Sequence, residues 1–178
     1  MRLALTLILA LWVAGCGPAR SAPAPMRLAS AAVGADGRIA ARQSAYGQNR
    51  SPPLSWSAVA GARAYAIILE DPDAPGPRPF VHWTIWNIPA GVTSLPEGLA
   101  TGGTLQSPRG ALQGANGAGG IGYFGPRPPS GVHHYRFEIY ALDAPLALAP
   151  GADRAAVAGA LRGHVLASGE LKGTFAAP

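Results

Sequence analysis

Residues 64–89 read AYAIILEDPDAPGPRPFVHWTIWNIP. Two runs rich in β-branched and aromatic residues, 64–71 and 80–88, flank a turn made of proline, glycine and aspartate, a pattern typical of two strands joined by a stiff connection. Both alternating faces of the second run are bulky, with His82, Thr84 and Trp86 on one face and Val81, Trp83 and Ile85 on the other. This strand is therefore predicted to be central in its sheet, and His82 is predicted to be buried.

The rest of the chain continues the β pattern. Further strands are predicted at or near residues 51–56, 134–142 and 169–175, between turns rich in Pro and Gly. One helix is predicted over residues 152–167, with Asp153 as its cap or first-turn residue. Residues 98–122 are glycine-rich without periodicity and indicate a surface loop. The expected fold is mostly β, a sandwich of the Greek-key type with one or two short helices.

Strand phase separates two adjacent histidines. In the run HHYRFEIYAL, Tyr135 shares a face with Phe137 and Ile139, whereas Arg136 and Glu138 mark the opposite, hydrated face. If the strand already runs at residue 133, His133 lies on the apolar side with Tyr135. His134 is predicted to face solvent.

The N-terminus indicates export. One positive charge, a short apolar run and small residues before Cys16, the chain's only cysteine, form a secretory signal over residues 1–15. The tetrapeptide VAGC resembles a bacterial lipobox, so Cys16 would be lipidated and residues 16–25 would tether a domain at 26–178. The expected location is a bacterial membrane surface facing the periplasm. The alternative is ordinary cleavage near residues 21–25, which would discard Cys16 and leave a soluble periplasmic protein.

The positive charge does not indicate a nucleic-acid partner. The formal net charge is +5, but the arginines are scattered and Lys172 is the only lysine, so no basic run or basic amphipathic helix forms. The charge supports a mild attraction to anionic ligands or surfaces.

Several polar side chains are predicted to converge. Asp71 and Asp73 lie in the turn after a strand, His82 lies on the next strand, and His133 and Tyr135 share a face farther on. Imidazole, phenol and carboxylate groups beside a Gly/Pro loop suit a small anion or a zwitterionic head group. Taken singly, each residue also fits a structural role: a buried strand histidine often only packs, and aspartate often caps its own turn.

The combination of motifs is more specific than its parts. DPDAP and FVHW, followed by GYFGPRPPSGVHHYRFEIYALD at residues 122–143, resemble the phosphatidylethanolamine-binding protein family, most closely its bacterial branch of Raf kinase inhibitor-like proteins. GQNRSPPLSW at 47–56, Asn116 and GHVLASGELKGTF at 163–175 extend the resemblance over nearly the whole mature chain.

The resemblance implies a β-sandwich with an anion pocket, whose ligand-binding residues would be Asp71, His82, Gly125, Pro129, His133 and Tyr135. Its supporting residues would be Asp73, Phe80 and Tyr123. The chain departs from the family pattern where His134 replaces the usual arginine, where Phe124 replaces glycine and where Arg127 replaces cysteine. The last two changes are expected to narrow or recharge the mouth of the pocket.

The predicted function is that of a binding module rather than an enzyme, without a cofactor or metal. By family resemblance it would hold a phospholipid head group or another phosphate-bearing group, and it would act as an inhibitor of a kinase or protease. One alternative is a metal-dependent hydrolase, because two histidines and a carboxylate are a common ligand set, although no H-E-x-x-H spacing is present. The other is a lipoprotein that serves only as a protein-interaction tether.

Overall fold

The computed structural model describes residues 23–178. Within this range it contains a 3₁₀ turn at Ala41–Gln43, the helix α1 (Arg154–Leu161), and nine strands: β1 (Ala24–Pro25), β2 (Leu28–Ala29), β3 (Leu54–Trp56), β4 (Ala64–Asp71), β5 (Phe80–Pro89), β6 (Ser94–Leu95), β7 (Leu112–Gln113), β8 (Val132–Leu142) and β9 (Val165–Ala176). The mostly β fold predicted from the sequence is confirmed.

The strands form two sheets. The larger has the order β1-β9-β8-β4-β5-β7, antiparallel throughout except for the parallel pair of β1 and β9. The smaller is antiparallel, with the order β2-β3-β6. Strands β4 and β8 are neighbours in space although three strands separate them in the chain. Glu70 pairs with Arg136 in their register, so the end of β4 lies beside the start of β8.

The main core lies between the two sheets, and a second core lies under the helix. On β4, Tyr65, Ile67 and Leu69 pack in the main core with side chains of the small sheet. Ala66 and Ile68 point the other way, into a cluster that α1 completes. Because both faces are covered, every residue of β4 is buried. Strand β5 also carries buried side chains on both faces, as predicted.

The helix predicted over residues 152–167 is about twice as long as the helix in the structure. Helix α1 begins after Asp153, whose carboxylate accepts a hydrogen bond from the Ala156 N–H, and it ends at Leu161. Gly163 then takes a positive φ of 86°, a conformation that stops a helix at low cost. The following residues pair with β8 as the first part of β9, so long-range pairing overrides their local helical pattern.

The glycine-rich segment 98–122 is more than a surface loop. It contains β7, and the Gln113 side chain is fully buried, where it donates to the carbonyls of Ala100 and Gly102 and accepts from Trp83 Nε1 at 2.8 Å. One buried amide thus fastens the segment to the core. A single polar residue has no periodicity, so the sequence pattern missed it.

The N-terminal boundary also differs. Ala24 and Pro25, predicted to belong to the tether, pair with Ala167 and Ser168. The predicted signal peptide and the Cys16 lipidation site lie outside the described residues. No helix within residues 23–178 is both long and apolar enough to cross a bilayer.

Candidate functional site

Asp71 is the centre of the candidate site. Its Oδ2 accepts a hydrogen bond from His133 Nδ1 at 2.7 Å, and its Oδ1 accepts one from the Asp73 N–H at 2.9 Å. Asp71 is 3% exposed and His133 is 9% exposed, so the pair is shielded from bulk water. The neighbouring ends of β4 and β8 bring the two residues together, and His133 lies on the apolar side as strand phase predicts.

His82 enters the site from β5, which lies between β4 and β7 in the larger sheet. Its Nδ1 lies 2.7 Å from the Phe124 carbonyl oxygen, which can only accept, so Nδ1 carries the proton. Nε2 is then the nitrogen available to a ligand. Burial lowers the pKa of His82, although the Phe124 carbonyl and the Asp71 carboxylate oppose this shift. The neutral ring is therefore the resting form near pH 7, and its Nε2 is a hydrogen-bond acceptor until it gains a proton.

Tyr135 packs the edge of its ring against His82, with ring centroids 5.2 Å apart. It is fully buried, and its hydroxyl has no hydrogen-bond partner of good geometry among residues 23–178. Burial raises the pKa of Tyr135, and the Asp71 carboxylate adds to the shift. The hydroxyl thus keeps its proton. A ligand or water that accepts a hydrogen bond from this hydroxyl would remove the cost of burying a donor without a partner of good geometry.

A cavity of about 300 Å³ is lined by Asp71, Ala74, Pro75, Phe80, His82, Ala118, Phe124, Arg127, Pro129 and His133. Tyr135, predicted to bind the ligand, is fully buried behind His82 and is not part of this lining. Five predicted site residues are in this lining: Asp71, Phe80, His82, Pro129 and His133. The sequence pattern did not single out Ala74, Pro75 or Ala118. Ala118 comes from the glycine-rich segment, where no local signal identifies a pocket wall.

Two further predicted residues, Gly125 and Tyr123, lie behind the lining. The Gly125 N–H donates to Asn49 Oδ1 at 2.7 Å, and its Cα packs against the backbone of residues 43–45. Tyr123 points into the core, where its hydroxyl donates to the Gln43 carbonyl and its ring meets Trp83 edge-on. Both residues therefore hold the wall in place from outside the cavity.

Asp73 and His134 form a second, exposed pair beside the first. Asp73 Oδ2 accepts from both the backbone N–H and the Nδ1 of His134, at 2.8 and 2.6 Å. The hydrogen bond from the His134 side chain is the main cause of a lowered pKa of Asp73. His134 thus faces solvent as predicted, and it ties the turn after β4 to β8. Adjacent histidines on opposite faces each bind one aspartate of the same turn.

No group of three or more His, Cys, Asp or Glu side chains is arranged to hold a metal ion in the described part of the chain.

Comparison with known proteins finds one matching family model and several related sequences that cover most of the chain. The family model described as phosphatidylethanolamine-binding protein matches residues 29–176. A UPF0098 protein of Methanothermobacter thermautotrophicus is 47% identical over 151 residues, which cover 84% of this chain and 98% of the relative. LppC of Mycobacterium tuberculosis, a candidate lipoprotein by its name, is 39% identical over 85% of this chain and 72% of its own length.

A solved structure shows the same fold. The crystal structure of Escherichia coli YbcL, described as a new member of the mammalian PEBP family, superposes with a TM-score of 0.79 at 32% identity. The match covers 87% of this chain and all of YbcL.

Proposed function

The chain belongs to the phosphatidylethanolamine-binding protein family, and we propose that the cavity beside Asp71, His82 and His133 binds a small anion or a phosphate-bearing group. The observation that carries this proposal is the buried Asp71–His133 pair, which opens with His82 onto one cavity. The protein is then a binding module rather than an enzyme. Inhibition of a kinase or protease would be a consequence of such binding.

The hydrogen-bond chemistry supports an anion. Both imidazoles use Nδ1 inside the protein, His133 on the Asp71 carboxylate and His82 on the Phe124 carbonyl. Each ring therefore has only Nε2 left for a ligand, and a protonated Nε2 donates a charge-assisted bond to a phosphate oxygen. The Tyr135 hydroxyl, next to the Asp71 carboxylate, is a further neutral donor behind this lining.

Titration of the purified protein with inorganic phosphate should shift the ring NMR signals of His82 and His133 and leave those of His134 nearly unchanged. The reason is position, because His134 lies on the opposite, exposed side of β8. In the same assay, His133→Ala should weaken phosphate binding about tenfold, the loss expected for one charge-assisted hydrogen bond. His134→Ala is the matched control. Equal losses from the two variants would contradict the assignment.

Anion binding should tighten as the pH falls. The lowered pKa of His82 means that the free ring is neutral, so an anion that accepts from Nε2 must bind together with a proton. For one proton taken up, affinity changes by up to about tenfold per pH unit. Sulfate is the probe, since its charge is constant between pH 8 and 6, and calorimetry is the measurement. Affinity that does not change over this range would contradict proton-linked binding.

The lipid anchor is part of the same proposal. A lipidated Cys16 would hold the domain on a bacterial membrane, facing the periplasm, and the lipoprotein name of the relative LppC supports it. Incorporation of labelled palmitate into the full chain, and its loss in Cys16→Ser, is the expected result. Absence of label from both chains would instead favour a soluble periplasmic protein, and equal label on both would contradict lipidation at Cys16.

A further inference from the structure

Arg127 is an exposed cation at the mouth of the candidate pocket. It is the only permanently charged cation among the residues that line this cavity. Its guanidinium carbon lies 5.9 Å from the centroid of the Tyr46 ring, within cation–π range, and no carboxylate in the described part of the chain pairs with it. Four other arginines pair with carboxylates: Arg42 and Arg50 with Glu97, and Arg136 and Arg154 with Glu70.

The loop around Arg127 is held in place. Tyr46 donates its hydroxyl proton to the Pro128 carbonyl oxygen at 2.8 Å, while its ring lies under the guanidinium. The flanking residues Pro126 and Pro128 fix the backbone on both sides of Arg127. The side chain is thus directed by a short, stiff loop, and its charge is available to a ligand in the cavity.

Counting charges shows what Arg127 adds. The lining contains one carboxylate, Asp71, two imidazoles and Arg127. With neutral imidazoles, the lining carries the single negative charge of Asp71 if Arg127 is removed, and no net charge if Arg127 is present. Each proton that an imidazole takes up adds one positive charge, so Arg127 raises the net charge of the lining by one at every stage of anion binding. Permanent charge at the mouth therefore decides how much negative charge the site can accept.

We propose that Arg127 is a ligand-binding residue of this pocket and that it sets a preference for doubly charged phosphate monoesters over singly charged phosphodiesters. This inference rests on the proposed function, because it assumes that the same cavity binds phosphate. A phosphodiester is the linkage in an intact phospholipid head group, and a monoester is the end group of a phosphorylated small molecule or side chain. Arg127 thus selects the monoester as the class of ligand.

The test compares methyl phosphate with dimethyl phosphate at pH 8. The monoester is doubly charged there, since the second pKa of such esters is about 6, whereas the diester carries one charge. The purified protein should bind methyl phosphate about tenfold or more tightly than dimethyl phosphate, the gain expected from one charge-assisted contact. Calorimetry gives the affinities, and the His82 and His133 ring signals report that the ligand occupies this cavity.

Three variants test whether Arg127 causes the preference for methyl phosphate over dimethyl phosphate. Arg127→Gln should lose most of the preference, mainly through weaker binding of methyl phosphate. Arg127→Lys should keep much of it, because the charge remains while the planar two-pronged donor is lost. Arg109→Gln removes an exposed arginine outside the cavity lining, so it matches the change in net charge and should bind like the parent. Thermal unfolding checks that all three variants fold.

The outcomes separate the two proposals. If the parent protein binds methyl phosphate with shifts at His82 and His133, and Arg127→Gln binds it equally well, the role of Arg127 is refuted while the anion-binding function stands. If Arg109→Gln loses as much as Arg127→Gln, net charge rather than position explains the effect, and the inference is again refuted. If neither ester shifts the two histidines, both the inference and the proposed function fail.

Discussion

Asp71→Asn is expected to weaken phosphate binding by about tenfold or more and to lower the free energy of unfolding by about 1–3 kcal/mol, the cost of a buried group left without its hydrogen bond. Both Asp71 oxygens accept hydrogen bonds in the native structure, one from the Asp73 N–H and one from His133 Nδ1. An asparagine has one oxygen and one NH₂ group. If its NH₂ group faces the Asp73 N–H, two donors meet; if it faces His133, the imidazole must change tautomer so that Nδ1 accepts.

The two orientations damage different parts of the site. If the NH₂ group faces Asp73, the turn after β4 loses its local hydrogen bond. If it faces His133, the imidazole loses the carboxylate oxygen that keeps the proton on Nδ1 and so directs Nε2 to the ligand. In either orientation the substitution removes the negative charge that favours a protonated His133. Since removal of a negative charge near an anion would by itself favour binding, a gain in phosphate affinity would show that Asp71 does not act through His133.

Asp73→Asn is the matched control for Asp71→Asn. It changes the neighbouring aspartate, which also accepts from a histidine Nδ1, but in an exposed pair. Water can replace hydrogen bonds lost there, so phosphate affinity should change less than about threefold, in line with the small contribution of exposed pairs. Chemical denaturation and calorimetry on both variants give the comparison. Equal effects at the two positions would mean that burial is not what makes the Asp71 pair important.

Gly125→Ala is expected to lower the free energy of unfolding by about 3 kcal/mol, the upper range for overpacking in a rigid site. A Cβ at this position would overlap the Gln43 carbonyl oxygen and lie 2.8 Å from the Ala45 nitrogen. Both are backbone atoms, so neither can rotate away as a side chain would. The φ of Gly125 is not positive, and the glycine is therefore required by space rather than by backbone conformation.

The same substitution should weaken phosphate binding. Gly125 follows Phe124, whose carbonyl holds the His82 ring, and its own N–H is bound by Asn49. A shift of this segment moves the acceptor that orients His82. Gly91→Ala is the control, because nothing lies within 4 Å of its added Cβ and its φ is not positive. That variant should unfold within about 1 kcal/mol of the parent, and a loss as large as that of Gly125→Ala would contradict the steric explanation.

Strand phase was readable from the sequence because it depends on a local geometric rule. Successive side chains of a strand point to opposite faces, so the charged Arg136 and Glu138 identify the hydrated face of β8 from composition alone. The same rule predicts that His133 lies on the buried face of β8 and that His134 lies on its exposed face. The two bulky faces of β5 likewise predicted a central strand and a buried His82, and the structure agrees.

The sequence pattern did not predict features that depend on contacts between distant segments of the chain. The helical pattern of residues 152–167 was correct only as far as Leu161, because pairing with β8 contributes more than local propensity beyond Gly163. The burial of Gln113 depends on three partners distant in the chain. Neither outcome leaves a signal in a short window of residues.

The sequence by itself determined the mostly β fold, the inward histidines and, through its motifs, the resemblance to the family. The tertiary structure alone decided which side chains share the cavity, because its walls come from β4, β5, β8 and two loops that meet only after the sheet has formed. It also decided that Arg127 lies over Tyr46 at the mouth, without a carboxylate partner in the described part of the chain. Alternation along a strand is a local property, whereas the convergence of loops is set by packing between distant segments.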